Sequence, residues 1–310
     1  MPTALETLLA FDVENSEIIL WTFKKTSYTG VDAPVYTGHW VEISENLKDA
    51  IRDALVYEIV RITEVLEYGI LAQNNEGSAL SIEADETYAG LILEKIGDEV
   101  LNKKIKNLKE INNSAFYVLK VVAPDRTKFY AARKTDDSWH SRKSNGTISA
   151  LFGDDSLDIN YQRNFNISNH VDFFIVEDKL IISGKANFES VLSYKQAHLE
   201  DFTALTQQVD FSNIFSNVAP VVEYVGKNKI RLRRALAIHQ KGHYKDPAFM
   251  GHLRINYTDY GLALQFDQNL KLVVTEINCR DVFTALLDHR LKSPFSQNVY
   301  DVQDTNNVVI

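Results

Sequence analysis

The chain of 310 residues has a single cysteine, Cys279. That excludes a disulfide framework and a zinc site built on several thiolates, and one thiol fits a reducing cytoplasm. No run approaches the roughly 18–20 uninterrupted apolar residues that a membrane-spanning helix needs, so no direct membrane insertion is expected. The first residues, MPTALETLLAFDVENSE, have no basic segment and carry Glu6, Asp12 and Glu14, which argues against a secretory signal. A lipidation box is missing as well. So are G-x-S-x-G, P-loop and Rossmann glycine patterns, and the residues make no case for an enzyme or a cofactor. Hydrophobic residues make up 45% and charged residues 24%, enough apolar side chain to offset chain entropy, which excludes disorder throughout. The expectation is a soluble, cytoplasmic, globular protein.

A net charge of −9 speaks against a generic nucleic-acid binder. The charge is segregated, however. Glu76, Glu83, Asp85, Glu86, Glu94, Asp98 and Glu99 crowd one stretch, and residues 224–245 carry only bases. Segregated charge makes distinct surfaces that the average hides.

Residues 17–25 and 35–43 read as strands. Ser44 is placed to cap a helix in which Leu47, Ile51, Leu55, Ile59, Ile62 and Leu66 repeat at helical spacing to Tyr68, with Gly69 as its end. After a short strand at 78–83, Asp85 opens a second long helix through Leu91, Ile92, Ile96, Val100, Ile105 and Leu108. Its basic end, Lys103, Lys104, Lys106 and Lys109, complements the helix dipole. Residues 115–122 and 128–134 form a hairpin around Pro124-Asp125. The polar stretch 135–170 is the best boundary, dividing the chain into residues 1–165 and 166–310. Beyond it come a tight hairpin at 173–182, helices broken near Pro220, a helix over 229–240 capped by Asn228, two strands around the Asp267–Asn269 turn, and an amphipathic helix RDVFTALLDHRL. The class is α+β: two lobes of hairpin-built antiparallel or mixed sheet packed against amphipathic helices.

The helix at 229–240 is the strongest candidate site. Leu232, Ala235, Leu236 and His239 share one face, and Lys229, Arg231, Arg233 and Arg234 occupy the remaining arc. Lys227 precedes it, and Lys241, His243 and Lys245 extend it. Such a cationic face seeks phosphates or carboxylates. A second basic group, Arg126, Lys128, Arg133 and Lys134, lies on the central hairpin. A third, Arg142 and Lys143, lies beside Trp139 and His140, where an aromatic among cations can stack a base. Asp172 with Glu177-Asp178-Lys179 has the residue types of a nuclease metal site, but the triplet joins two apolar strands and reads as a hairpin turn. His239 and His243 stand at i, i+4 without the glutamate of a zinc protease motif, so no metal is expected. Cys279 opens the last helix, where a thiol pKa can fall, but it has no partner for catalysis and reads as a buried residue.

The segments FFIVEDKLIISGKANFESVLSY (173–194), RALAIHQKGHYKDPAFMGHL (234–253) and LALQFDQNLKLVVTEINCRDVFTALLDHRLKSPFSQNVYDV (262–302) resemble the KwaB-like family. Its KwaB members are the soluble component of the bacterial Kiwa anti-phage defence system. The strand–turn–strand followed by K-x-N-F-E carries the resemblance, with the last helix and the stretch to Tyr300. The resemblance implies DNA binding, self-association, and docking on the membrane protein KwaA at the inner face of the membrane. There the protein hinders phage DNA replication and late expression. Binding through backbone phosphates is expected to be largely without sequence specificity, and the assembly is expected to be a homodimer. The DNA-binding residues expected here are Lys227, Lys229, Arg231, Arg233, Arg234, Lys241, Lys245, Arg126, Lys128, Arg133, Arg142 and Lys143. The acidic 76–99 stretch is a plausible face for basic cytoplasmic loops of KwaA. The alternatives are a metal-dependent nuclease of diverged sequence and an adaptor with no DNA contact.

Overall fold

The structure is a computed structural model that describes residues 3–26, 35–83, 89–97, 101–140, 150–153, 156–159, 164–226 and 228–302. The chain forms two compact units: residues 1–68 with 74–193, and residues 69–73 with 194–310. The class is α+β.

In chain order, unit 1 contains α1 (Ala4–Leu9), β1 (Glu17–Thr26), β2 (Val35–Val41), α2 (Glu45–Val60), β3 (Glu64–Glu67), β4 (Ser78–Glu83), α3 (Ala89–Leu93), α4 (Leu108–Ile111), β5 (Phe116–Val122), β6 (Lys128–Lys134), β7 (Ala150–Gly153), β8 (Ser156–Ile159), β9 (Phe173–Val176), β10 (Lys179–Ile182) and α5 (Lys185–Val191). Eight strands form one sheet in the order β2-β1-β5-β6-β9-β10-β4-β3, and β7–β8 is a separate hairpin. Every pair in the large sheet is antiparallel except β3–β4. Both faces are covered, which is why FYVLKVV reads as an almost continuous apolar run. On one face Ile18, Leu20, Leu119 and Phe174 pack with Ile51, Leu55 and Ile59 of α2. On the other, Phe23 and Phe116 stack with centroids 4.7 Å apart.

The boundary read from composition falls at 165/166, but the units part at Ser193. The reason is pairing: β9 joins β6 over Phe129–Ala132, which carries the 173–182 hairpin into the sheet of unit 1.

Two expected long helices are shorter in the structure. α2 stops at Val60, and residues 64–67 pair with β4 instead. The β-branched Thr63 starts this change: its N–H and hydroxyl both donate to the Gly77 carbonyl, at 2.8 and 3.1 Å. Ser44 occupies the N-cap but makes no side-chain bond to the helix. The second helix is broken into α3, a 3-10 turn at Leu101–Lys103, and α4. Gly97 and Asn107 interrupt it, and the Asn107 carboxamide oxygen accepts from Lys109 N at 3.0 Å to start α4. Asp85 and Val100 lie outside the described residues. Two of the four lysines meet aromatic rings, Lys103 5.7 Å from the Trp21 ring centroid and Lys104 5.2 Å from that of Trp40, while Lys109 stands in the last turn of α4.

The K-x-N-F-E mark has a structural meaning. The Asp172 side chain is fully shielded from solvent. Its carboxylate accepts from Arg133 Nη1 at 2.7 Å, Lys134 N at 2.7 Å and Asn187 Nδ2 at 2.9 Å. Its carbonyl accepts from Ser183 N at 2.9 Å and Gly184 N at 2.7 Å. Phe188 is buried against Phe173, and Glu189 accepts from the Tyr68 hydroxyl at 3.1 Å. The motif thus pins α5 to β6 and β9. A Cβ on Gly184 would stand 2.6 Å from Asp172 Oδ1 and 3.2 Å from Asp172 Cα. Three donors fix that carboxylate, so Gly184→Ala should cost about 1–3 kcal/mol. Urea denaturation followed by tryptophan fluorescence checks this, because Trp21, Trp40 and Trp139 all lie in unit 1.

Unit 2 contains α6 (Tyr194–Gln207), α7 (Val209–Ser212), α8 (Ala219–Val225), α9 (Lys229–Lys241), α10 (Pro247–Asn256), α11 (Cys279–Leu286) and a two-stranded ribbon of β11 (Arg290–Lys292) and β12 (Val299–Asp301). The two strands expected around Asp267–Asn269 are extended segments with one bridge between them, Phe266 to Leu272, and Leu272 also bridges to Phe215. Leu262, Leu264, Leu272 and Val274 alternate because they bury against helices rather than a sheet. The turn is as expected: the Asp267 carboxylate accepts from Asn269 N at 2.8 Å and Lys271 N at 2.9 Å.

Candidate nucleic-acid interface

α9 starts where the sequence places it. The Asn228 side-chain oxygen accepts from Ile230 N at 3.0 Å and Arg231 N at 3.1 Å, and Gly242 closes the helix with φ 68°. The burial pattern is wider than one apolar stripe. Ala237 and Ile238 are buried together with Leu232, Ala235 and Leu236, so the second half of the helix is enclosed. Among the cations, Lys229 and Arg231 are exposed and Arg233 is half-buried. Arg234 turns inward, donating from Nη2 to the Thr284 hydroxyl at 3.0 Å, and burial pulls its pKa down. Lys241 is half-buried in the last turn, where a cation complements the dipole. Lys245 pairs with Asp210 at 3.2 Å, which raises its pKa. Lys227 lies outside the described residues.

The exposed cations therefore gather at the helix N-terminus. Each cation there opposes the dipole at a cost of about 0.3–1 kcal/mol. Arg231 is held in place: its guanidinium lies 4.1 Å from the Tyr224 ring centroid, and Nη1 donates to the Tyr224 carbonyl at 2.7 Å. Tyr224 in turn meets Phe283 of α11 edge to face at 5.5 Å. Arg280 at the start of α11 adds a further, largely exposed guanidinium, 3.8 Å from Asp301. Its charge helps depress the Arg234 pKa, after burial as the main cause. Sequence reasoning missed Tyr224 and Arg280. A lone arginine in NCRDVF carries no pattern, and only the packing of α11 on α9 brings it here.

Cys279 belongs to the same packing. Burial pushes its thiol up to about 12, against the pull of Arg231, so its place at a helix N-terminus does not activate it.

The basic residues of the central hairpin do not form one patch. Arg126, with φ 75°, and Lys128 stand at the turn. Arg133 is about 17 Å further along the strand at ~3.3 Å per residue, and its guanidinium is engaged by Asp172. Arg142 and Lys143 lie outside the described residues. Trp139 is not available to a base: it is 1% exposed, stacks on Tyr117 at 5.5 Å, and donates from Nε1 to the Asn166 carbonyl at 2.8 Å. Glu177 and Asp178 form the two-residue turn between β9 and β10, with Glu177 at φ 52°. Lys179 pairs with Glu83, and His239 Nδ1 meets the Tyr244 hydroxyl at 2.9 Å. Among the described residues, no three acids, histidines or cysteines are grouped to hold a metal ion.

Fold and surface together describe an α+β protein with a cationic, aromatic-backed corner in its second unit. The family model for Kiwa protein KwaB-like matches residues 111–296, more than half of the chain. The chain belongs to the KwaB-like family, which places it in Kiwa anti-phage defence. The match begins at the end of α4, just before β5, and reaches the ribbon, so it extends N-terminally beyond the segments that carry the resemblance. Neither the curated proteins nor the solved structures gave a match. Among the described residues, no helix is long and apolar enough to cross a membrane.

Proposed function

We propose that this KwaB-like protein is a non-catalytic effector that binds DNA through the backbone phosphates and acts with KwaA against phage replication and late expression. One observation carries the reading: Lys229 and Arg231 stand exposed in the first turn of α9, where the dipole opposes cations, with Arg233 half-buried in the next turn, and a bound polyanion would turn that placement from a cost into a gain. Phosphate contacts of this kind are indifferent to sequence. A homodimer would present two such corners and gain avidity on long DNA. Recruitment to the membrane would then come from KwaA, with the acidic 76–99 stretch facing its basic loops. Neutralising Glu76 and Glu94 should weaken co-purification with KwaA, and unchanged co-purification would remove that face from the proposal.

The test is affinity for a duplex of a few tens of base pairs across a salt series. Wild type is compared with Lys229→Glu/Arg231→Glu/Arg233→Glu, a set that spares the inward Arg234. Log affinity falls with log salt at about −0.9 per neutralised phosphate, so loss of three contacts should flatten the slope by about 2–3. Circular dichroism confirms that the variant is folded. A steep slope unchanged in the variant moves the site to Arg126 and Lys128. No binding at low salt leaves an adaptor, and plasmid cleavage on adding Mg²⁺ establishes the nuclease instead.

A further inference from the structure

The ribbon of β11 and β12 pairs Arg290 with Asp301, Leu291 with Tyr300 and Lys292 with Val299. Its tip, residues 293–298, is firmly built. The Ser293 hydroxyl accepts from Phe295 N and Ser296 N, both at 3.2 Å, and Ser293 N donates to the Asn298 carbonyl at 2.9 Å. The Gln297 amide donates to the Pro294 carbonyl at 2.8 Å. On this ordered tip Phe295 is 96% exposed. A phenylalanine left in water forgoes about 1.5–3 kcal/mol of burial, which its presentation on a braced turn makes available to an occupant.

The root of the ribbon indicates which one. The Arg290 guanidinium holds Asp301 at 2.7 Å and the Tyr260 carbonyl at 3.0 Å. Asp301 also meets Arg280, which begins the helix whose Thr284 receives Arg234. The ribbon thus grows from the cationic corner itself, with Lys292 exposed on its own strand. A partner protein with an apolar surface would meet these cations unfavourably, whereas a duplex complements them.

We propose that the ribbon enters a groove of the duplex and that Phe295, next to Pro294, wedges between two base pairs. This rests on the DNA-binding reading above and deepens it by naming the preferred substrate. Two-stranded ribbons can enter the minor groove, and from there phenylalanine and proline wedges that unstack a step kink DNA by roughly 20–90°. Unstacking costs least at mismatched or already disturbed steps. The preferred ligand is therefore a distorted duplex rather than a relaxed, perfectly paired one.

The experiment uses the full chain and two 20-base-pair duplexes, one perfect and one with a central mismatch flanked by 2-aminopurine. Wild type should bind the mismatched duplex several-fold more tightly and raise its 2-aminopurine fluorescence. Phe295→Ala should lose both effects and about tenfold in affinity for that duplex, while its salt slope stays at the wild-type value. Phe295→Leu, which keeps an apolar wedge, should retain part of the signal. A wild type that binds both duplexes equally without a fluorescence change overturns the wedge and leaves the phosphate surface standing. Failure to bind either duplex sinks the DNA reading itself, and the wedge with it. Loss of self-association in Phe295→Ala with unchanged DNA binding, read by sedimentation, would assign the tip to a second copy of the chain.

Discussion

Asp172→Ala should cost unit 1 about 3–5 kcal/mol, the range for removing one partner of a buried ion pair. The substitution strips an acceptor from Arg133, Lys134 N and Asn187 at once, deep in the sheet. It also opens a void against Gly184, which approaches because nothing larger fits. Tryptophan fluorescence across a urea titration should show the shifted midpoint, and an unfolding free energy within about 0.5 kcal/mol of wild type would contradict the pinning role. The pH dependence has a definite sign. Burial holds the Asp172 carboxyl above its usual range, with the donors from Lys134, Asn187 and Arg133 pulling the other way. A raised folded-state pKa means that folding takes up a proton. Its contribution is fully present below the unfolded value and is lost as pH rises through the folded value. The advantage of wild type over Asp172→Asn should therefore grow as pH falls from about 7 into the carboxylate range.

Ile238→Ala should cost unit 2 about 2–5 kcal/mol, and Ile230→Ala within about 0.5 kcal/mol. The two isoleucines sit on the same helix, one fully buried and the other 71% exposed. On a helical wheel Ile238 lies away from the Leu232–Leu236 stripe, so a surface helix would tolerate its loss. In the structure α6, α8 and α11 surround the helix, and truncation leaves a cavity. Far-UV circular dichroism during thermal unfolding reads the difference. Equal, small losses in the two variants would mean that α9 lies on the surface rather than inside unit 2. The same enclosure explains why the cations at the exposed N-terminal turn, and not Arg234, belong in a charge-reversal test.

Much of the fold was legible in local pattern. Asn228 and Gly242 bound α9 because capping and left-handed backbone are chemistry of a few neighbouring residues. The Glu177-Asp178 turn and the Pro124-Asp125 turn were legible for the same reason. The 173–194, 234–253 and 262–302 segments were enough to indicate the family. Elsewhere a regular apolar period misled. Ile62 and Leu66 continue the rhythm of α2, yet the chain leaves the helix because Gly77 offers Thr63 a carbonyl and β4 offers an edge. The alternation at 262–274 has the period of a strand, but its neighbours are helices.

By itself, then, the sequence determined the α+β class, the helix that carries the cations, the hairpin turns and the membership in a defence family. Tertiary structure decided which of those cations face solvent, that Arg133 answers to Asp172 and Arg234 to Thr284, that Trp139 is core rather than a stacking platform, that Arg280 stands beside Arg234, and that Phe295 is exposed at the tip of the ribbon. Turns and caps are settled within a few residues of chain. Burial, pairing and the sharing of a surface depend on residues tens of positions away, and no local period records them.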